Sequence, residues 1–91
     1  MRDHVASDFT KGDTYEVDQP GGAVSLTVDA VKEMPRSVRQ GAAFSVELQG
    51  PMEPVLPQAI YALRRGEVTH EIFIVPVERN PRGVRYEAIF N

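Results

Sequence analysis

Few residues of this chain could do chemistry. Its two histidines are His4, close to the N-terminus, and His70. A zinc-type site needs three or four His, Cys, Asp or Glu ligands at suitable spacing. This sequence has no cysteine and no His-x-His or His-x-x-x-His pair. His70 is followed by Glu71, but neighbours in an extended strand point to opposite faces, so the two cannot chelate together. The serines, Ser7, Ser25, Ser37 and Ser45, include none in a Gly-x-Ser-x-Gly elbow. The reading for His70 is a strand residue half-covered by Leu63, not a general base. Glu71 and Glu87 would make an acid–base pair only if they lay on adjoining strands. Arg64, Arg65 and Arg85 are then close enough in sequence to neutralise them as ordinary cross-strand ion pairs. No catalytic residue, metal ligand or cofactor is assigned on these grounds, and an enzyme is the less favoured class.

Other binding chemistry fares little better. Gln19-Pro20-Gly21-Gly22 is glycine-rich but leads into a strand pattern, where a phosphate-cradling loop would lead into a helix. Net charge is −3 with an isoelectric point near 5.3, the wrong sign for nonspecific phosphate binding. The arginines at 64, 65, 79, 82 and 85 are interspersed with Glu and lack interleaved exposed aromatics, so they read as a solvated rim and no nucleic-acid partner is expected. The longest apolar run, Ile72 to Val77, is far below the roughly 18 residues of a membrane helix. With no apolar signal core among the first residues, the expectation is a soluble cytoplasmic protein without a membrane partner.

The elements that would position any site are strands. Val24, Leu26, Val28 and Ala30 alternate with Ser25, Thr27 and Asp29, the period of two that marks a half-buried strand. Ala42, Phe44, Val46 and Leu48 repeat it, as do Tyr15 with Val17, and Val84, Tyr86, Ala88 and Phe90. Ile60 to Arg65 alternates weakly. Val68 to Val77 contains Ile72-Phe73-Ile74-Val75, apolar on both parities, which predicts a central strand covered on both faces. No window supports a helix of three turns; Ser7 to Lys11 could form one capped turn ended by Gly12.

Turn signals fall between these runs. Arg65-Gly66-Glu67-Val68 suits a two-residue hairpin that sets Leu63 opposite His70 and Tyr61 opposite Ile72. Asn80-Pro81-Arg82-Gly83 favours a three-residue loop pairing Ile74 with Phe90 and Val75 with Ile89. A two-residue loop would instead pair Phe73 with Phe90 and Glu78 with Arg85. Glu33 to Gly41 is polar and cationic and reads as a loop. The expected architecture is one all-β domain over residues 1–91, with 1–13 as an N-terminal arm. Its strands form a small six-stranded antiparallel barrel or half-barrel, or alternatively a curled two-layer sandwich.

Pro51-Met52-Glu53-Pro54-Val55-Leu56-Pro57 stands above this background. Proline every third residue matches the turn of polyproline II and predicts a stiff extended arch over one end of the sheet. Pro51, Met52, Pro54, Val55, Leu56 and Pro57 are either a lid on the barrel end or an apolar surface offered to a protein partner or a twin subunit. A second candidate is a ligand-binding barrel mouth lined by Gln58, Tyr61, His70 and Tyr86. A non-catalytic interaction or assembly module is the leading expectation, and a small-ligand-binding barrel the alternative.

An ordered series of residues carries a family resemblance. It runs Phe44-Ser45, Gly50-Pro51, Leu56-Pro57-Gln58, Tyr61 and Leu63, Phe73-Ile74-Val75-Pro76-Val77, and Arg85-Tyr86-Glu87-Ala88-Ile89-Phe90-Asn91, preceded by Phe9, Gly12, Tyr15, Val17 and Leu26. It resembles a small bacterial family of about 90 to 100 residues that is a domain of unknown function. In that family a His often follows the Tyr-x-Leu segment, where this chain has Arg65 and a shorter loop. The resemblance implies a similar fold and a bacterial setting, and no mechanism.

Overall fold

In the computed structural model, residues 8–34 and 43–90 are described. They form six strands, β1 (Thr14–Gln19), β2 (Gly22–Met34), β3 (Ala43–Gly50), β4 (Ala59–Arg65), β5 (Val68–Asn80) and β6 (Gly83–Phe90). These close, all antiparallel, into a barrel in the order β1-β2-β3-β6-β5-β4. The predicted barrel is therefore the observed fold.

Alternation explains the core. Tyr15, Val17, Val24, Leu26, Val28, Phe44, Val46, Leu48, Leu63, Ile72, Ile74, Val84, Tyr86 and Ala88 point inward and are buried, with Phe90 packed partly against them. Ala30 departs from the pattern. A bulge between Val28 and Ala30 resets the pairing with β3, so that Val31 packs on the core next. The carboxylate of Asp29, the extra residue of the bulge, pairs with Arg82 at 3.1 Å. β2 also runs on through Met34, two residues into the segment expected to be a loop. The rest of that loop, and Ala42, lie outside the described residues.

The β4–β5 hairpin has the expected register, with Leu63 opposite His70 and Tyr61 opposite Ile72. Gly66 holds the positive φ of 62° that the first loop position requires. The β5–β6 hairpin corrects the favoured expectation. Asn80 pairs Gly83 and Glu78 pairs Arg85, so the loop has two residues; a bulge at Val77 then shifts the register to Pro76 opposite Tyr86 and Val75 opposite Glu87. Neither Ile74 nor Phe73 pairs with Phe90, whose partner is Phe44 on β3. β5 is likewise not covered on both faces. In a closed barrel the outer side of every strand meets solvent, and Phe73 and Val77 are exposed there.

Closure comes at the β1–β4 seam, where a single backbone pair, Glu16 with Arg64, joins the strands. Side chains reinforce it: Arg64 reaches Asp18 at 2.8 Å and Glu16 at 3.6 Å, and Arg65 reaches Asp13 at 3.4 Å.

Both barrel ends are plugged. Of the N-terminal arm, Asp8 begins the described chain in a short 3-10 turn, and Gly12 carries a φ of 97°. Between them Phe9 folds inward, its ring centroid 6.1 Å from Tyr15, 6.2 Å from Phe44, 5.4 Å from His70 and 5.6 Å from Phe90. The other end is closed by the proline-rich arch.

Candidate functional site

Topology dictates where the arch must go. β3 and β4 are consecutive in sequence but three places apart in a ring of six, on opposite sides of the barrel. Residues 51–58 must therefore cross the mouth, and eight residues in extended form reach about 25 Å. The expected arch over the barrel end bends at Met52–Pro54. Beyond the bend Leu56 turns into the barrel and is 1% exposed, while Met52, Pro54, Val55 and Pro57 remain on the outside and Pro51 is half-buried.

Two tyrosines fasten the arch. The Leu56 amide donates to the Tyr86 hydroxyl at 2.8 Å, and the Tyr61 hydroxyl donates to the Pro57 carbonyl at 2.6 Å. Burial holds the Tyr61 phenol above its ordinary pKa, with a smaller contribution from Tyr86. Glycines let the backbone close in. A Cβ on Gly50 would press on Leu26 and the Tyr86 ring, and one on Gly83 would overlap the Gly50 carbonyl oxygen and the Pro51 carbonyl carbon. At the same end Asn80 and Gln49 exchange side-chain amide hydrogen bonds, and the Arg82 amide donates to Asn80 Oδ1 at 3.0 Å.

The four residues read as a ligand mouth are thus divided. Tyr61 and Tyr86 hold the arch, and Gln58 is exposed just after it. The His70 ring instead packs against Phe9 and Tyr15 at the Phe44 end of the barrel, away from Gly50 where the arch begins. Open space at the arch lies outside the barrel. A groove of about 590 Å³ runs between Glu53–Val55 and the β1–β2 turn, bordered by Arg79. A second hollow of about 460 Å³ shares Ala23, Val24, Glu53 and Pro54 with it and extends to Arg82.

Among the described residues, no group of three or more His, Cys, Asp or Glu is placed to hold a metal ion. Glu71 and Glu87 do not form an acid–base pair. Glu87 faces Val75, four positions along β5 from Glu71, which separates them by about 13 Å. Nor do the arginines neutralise them, which corrects that expectation. Arg64 and Arg65 are committed to β1 and Asp13, and Arg85 binds Glu47 at 3.0 Å and Glu78 at 2.8 Å. Glu47, gripped also by Lys32 at 2.9 Å, is held below the ordinary carboxylate pKa by these hydrogen bonds and charges. Among the described residues neither Glu71 nor Glu87 makes an ion pair.

A surface that the sequence reading did not single out is the outer side of β4, β5 and β6. Ile60 and Phe73 are direct cross-strand partners, 67% and 48% exposed. Ile89, 53% exposed, and Phe73 each lie two residues beyond the last β5–β6 pair, Val75 with Glu87, on the same outer face. The available signal is the double-parity run Ile72–Val75, which predicts cover on both faces of the strand without saying what covers Phe73.

These features define a closed six-stranded antiparallel barrel, plugged at both ends, with its uncommitted surface outside. A family model described as Domain of unknown function (DUF6916) matches residues 5–90, and the chain belongs to that family. No curated protein and no solved structure matches the chain. No described helix is long and apolar enough to cross a membrane.

Proposed function

We propose that this chain is a non-catalytic protein-interaction module that docks its partner on the outer face of β4–β6. The observation that carries this reading is Phe73, a large aromatic side chain 48% exposed beside Ile60 on the outer face of the barrel. Apolar groups in such a row gain by leaving water, at roughly 25 cal/mol per Å² buried, and aromatic anchors dominate many interfaces. The filled interior supports the same view, because the inward side chains pack on one another and Leu56 and Phe9 close the ends. On the strength of the family resemblance, the reading places the module in a bacterial setting.

Site-specific photocrosslinking in the native cell tests it. A photoreactive residue at Ile60 or Phe73 is expected to give one discrete adduct, and the same residue at exposed Ser25 on β2, three places from β5 in the ring, none. Adducts equally abundant at all three positions, or absent from all three, would refute the reading.

The groove beside the arch favours a second reading, a small-ligand site outside the barrel. It combines apolar Val24, Pro54 and Val55 with the Arg79 guanidinium, whose described side-chain contact is the Met52 sulfur at 3.4 Å. Chemical-shift changes at Arg79 and Val55 on titration with small carboxylates would support it, and a silent groove would dismiss it.

A further inference from the structure

We infer that the element docking on this face carries apolar side chains flanked by Lys or Arg, about 13 Å apart if the element is extended. This rests on the docking reading above and specifies its partner. Glu71 lies two residues before Phe73 on the same face of β5, and Glu87, level with Val75, lies about the same distance beyond it. The apolar row therefore has a carboxylate on either side. Both are free of ion pairs with described residues, although Arg64, Arg65 and Arg85 lie on the same or adjoining strands; each of those cations is bound to other acids.

A carboxylate at the rim of an apolar contact loses water when a partner covers it, and that loss is costly unless a cation replaces the water. A neutral or acidic partner would meet this penalty twice. A second copy of the chain would bring its own Glu71 and Glu87 to the contact, with a net charge of −3 on each molecule. An anionic bilayer would be repelled in the same way. A basic and apolar protein segment alone satisfies both the row and its rim. Along an extended segment, residues i, i+2 and i+4 face one way, so cation, apolar anchor and cation at that spacing match Glu71, Phe73 and Glu87.

The test uses the full chain and a displayed library of random 12-residue peptides, selected on immobilised protein at low salt. Selected peptides are expected to carry an aromatic or aliphatic residue between Lys or Arg. Their binding should fall about tenfold or more in Phe73→Ser and by a similar factor in the double variant Glu71→Gln/Glu87→Gln, and should weaken as salt is raised. These side chains point outward, so unchanged circular dichroism and melting would show that the variants remain folded. Peptides that depend on Phe73 but lack cations and ignore the Glu→Gln changes would overturn the inference and leave the docking reading standing. If no peptide depends on Phe73, both fail. Self-association in light scattering that Phe73→Ser abolishes would replace the basic partner with a second copy.

Discussion

The Leu56 amide donates its hydrogen to the Tyr86 hydroxyl across the barrel mouth, at 2.8 Å in a buried setting. A loop residue thirty positions away in sequence thereby satisfies a polar atom of a core tyrosine, and the lid becomes continuous with the core. Tyr86 must be a tyrosine for this, since phenylalanine fills the same space without the acceptor. Tyr86→Phe should lower stability in urea by about 1–3 kcal/mol, the cost of a buried N–H without a partner. Leu56→Ala should cost about 2–5 kcal/mol through the cavity it leaves. Val55→Ser, on the outer side of the same arch, should fall within about 0.5 kcal/mol of wild type. If Leu56→Ala and Val55→Ser were equally mild, the arch would not be a lid.

Gly83 makes a sharper case. Its φ of 136° disfavours any L side chain, and the position of a Cβ is already taken by the backbone of Gly50 and Pro51. Relief would need the start of the arch to move. Gly83→Ala is therefore expected to lose at least about 2–3 kcal/mol, combining backbone strain with displacement. Gly66→Ala has open space around it and only a positive φ to contend with, so about 1 kcal/mol is expected. Parallel urea titrations of the two variants give the comparison.

Phe9 belongs to the core although it lies outside every strand. Its ring fills the end of the barrel among Tyr15, Phe44, His70 and Phe90. Phe9→Ala should cost about 3–5 kcal/mol, and truncation of the arm after Phe9 should be nearly as damaging. Hydrogen exchange at Phe44 and Phe90 would register the loss locally.

The strands were legible in the sequence because burial on one face imposes a period of two, and the side chains of Leu26, Phe44, Val46 and Tyr86 meet as that period requires. Three kinds of feature were not legible. Bulges at Asp29 and Val77 reset registers by one residue; Pro76, which has no amide to donate, is a local signal beside Val77, and nothing comparable marks Asp29. Phe9 sits in a segment without alternation, so nothing local announced its burial. The exposure of Phe73 was hidden for a physical reason: apolar residues on both faces of a strand report that both faces avoid water, not which molecule covers the second. Among candidate site residues, the proline spacing located the arch but not its anchors. Tyr61 and Tyr86 became clamps only through a topology that brings residues 56 and 57 over them.

The exposure of Ile60 and Phe73 has its own consequence for stability. If Ile60 and Phe73 serve a partner and not the fold, removing them should leave the isolated chain intact. Ile60→Ser/Phe73→Ser is expected to change the stability of the monomer by no more than about 1 kcal/mol, against the larger losses expected for inward Ile72→Ala or Ile74→Ala. A large loss in the double serine variant would mean that the outer row stabilises the barrel itself.

Acid should unfold the protein partly through Glu47. Both oxygens of its carboxylate are engaged, one by Lys32 and the other by Arg85, and its pKa in the folded state lies below its ordinary value. A carboxylate with a depressed folded pKa adds stability that is fully present above the unfolded pKa, roughly 4.3 for Glu. That stability is lost as pH falls below this value and through the folded one, because the unfolded chain then binds the proton more readily. Asp29, lowered mainly by its hydrogen bond to Arg82, acts in the same direction at similarly acid pH. Melting temperature should therefore be flat through neutrality and fall below about pH 4.3, with a shallower fall in Glu47→Gln. The same variant should be less stable than wild type at pH 7, where Lys32 and Arg85 would lose their shared counter-charge, and the two curves should converge in acid. A variant whose acid limb ran parallel to wild type would show that Glu47 titrates alike in the folded and unfolded chains.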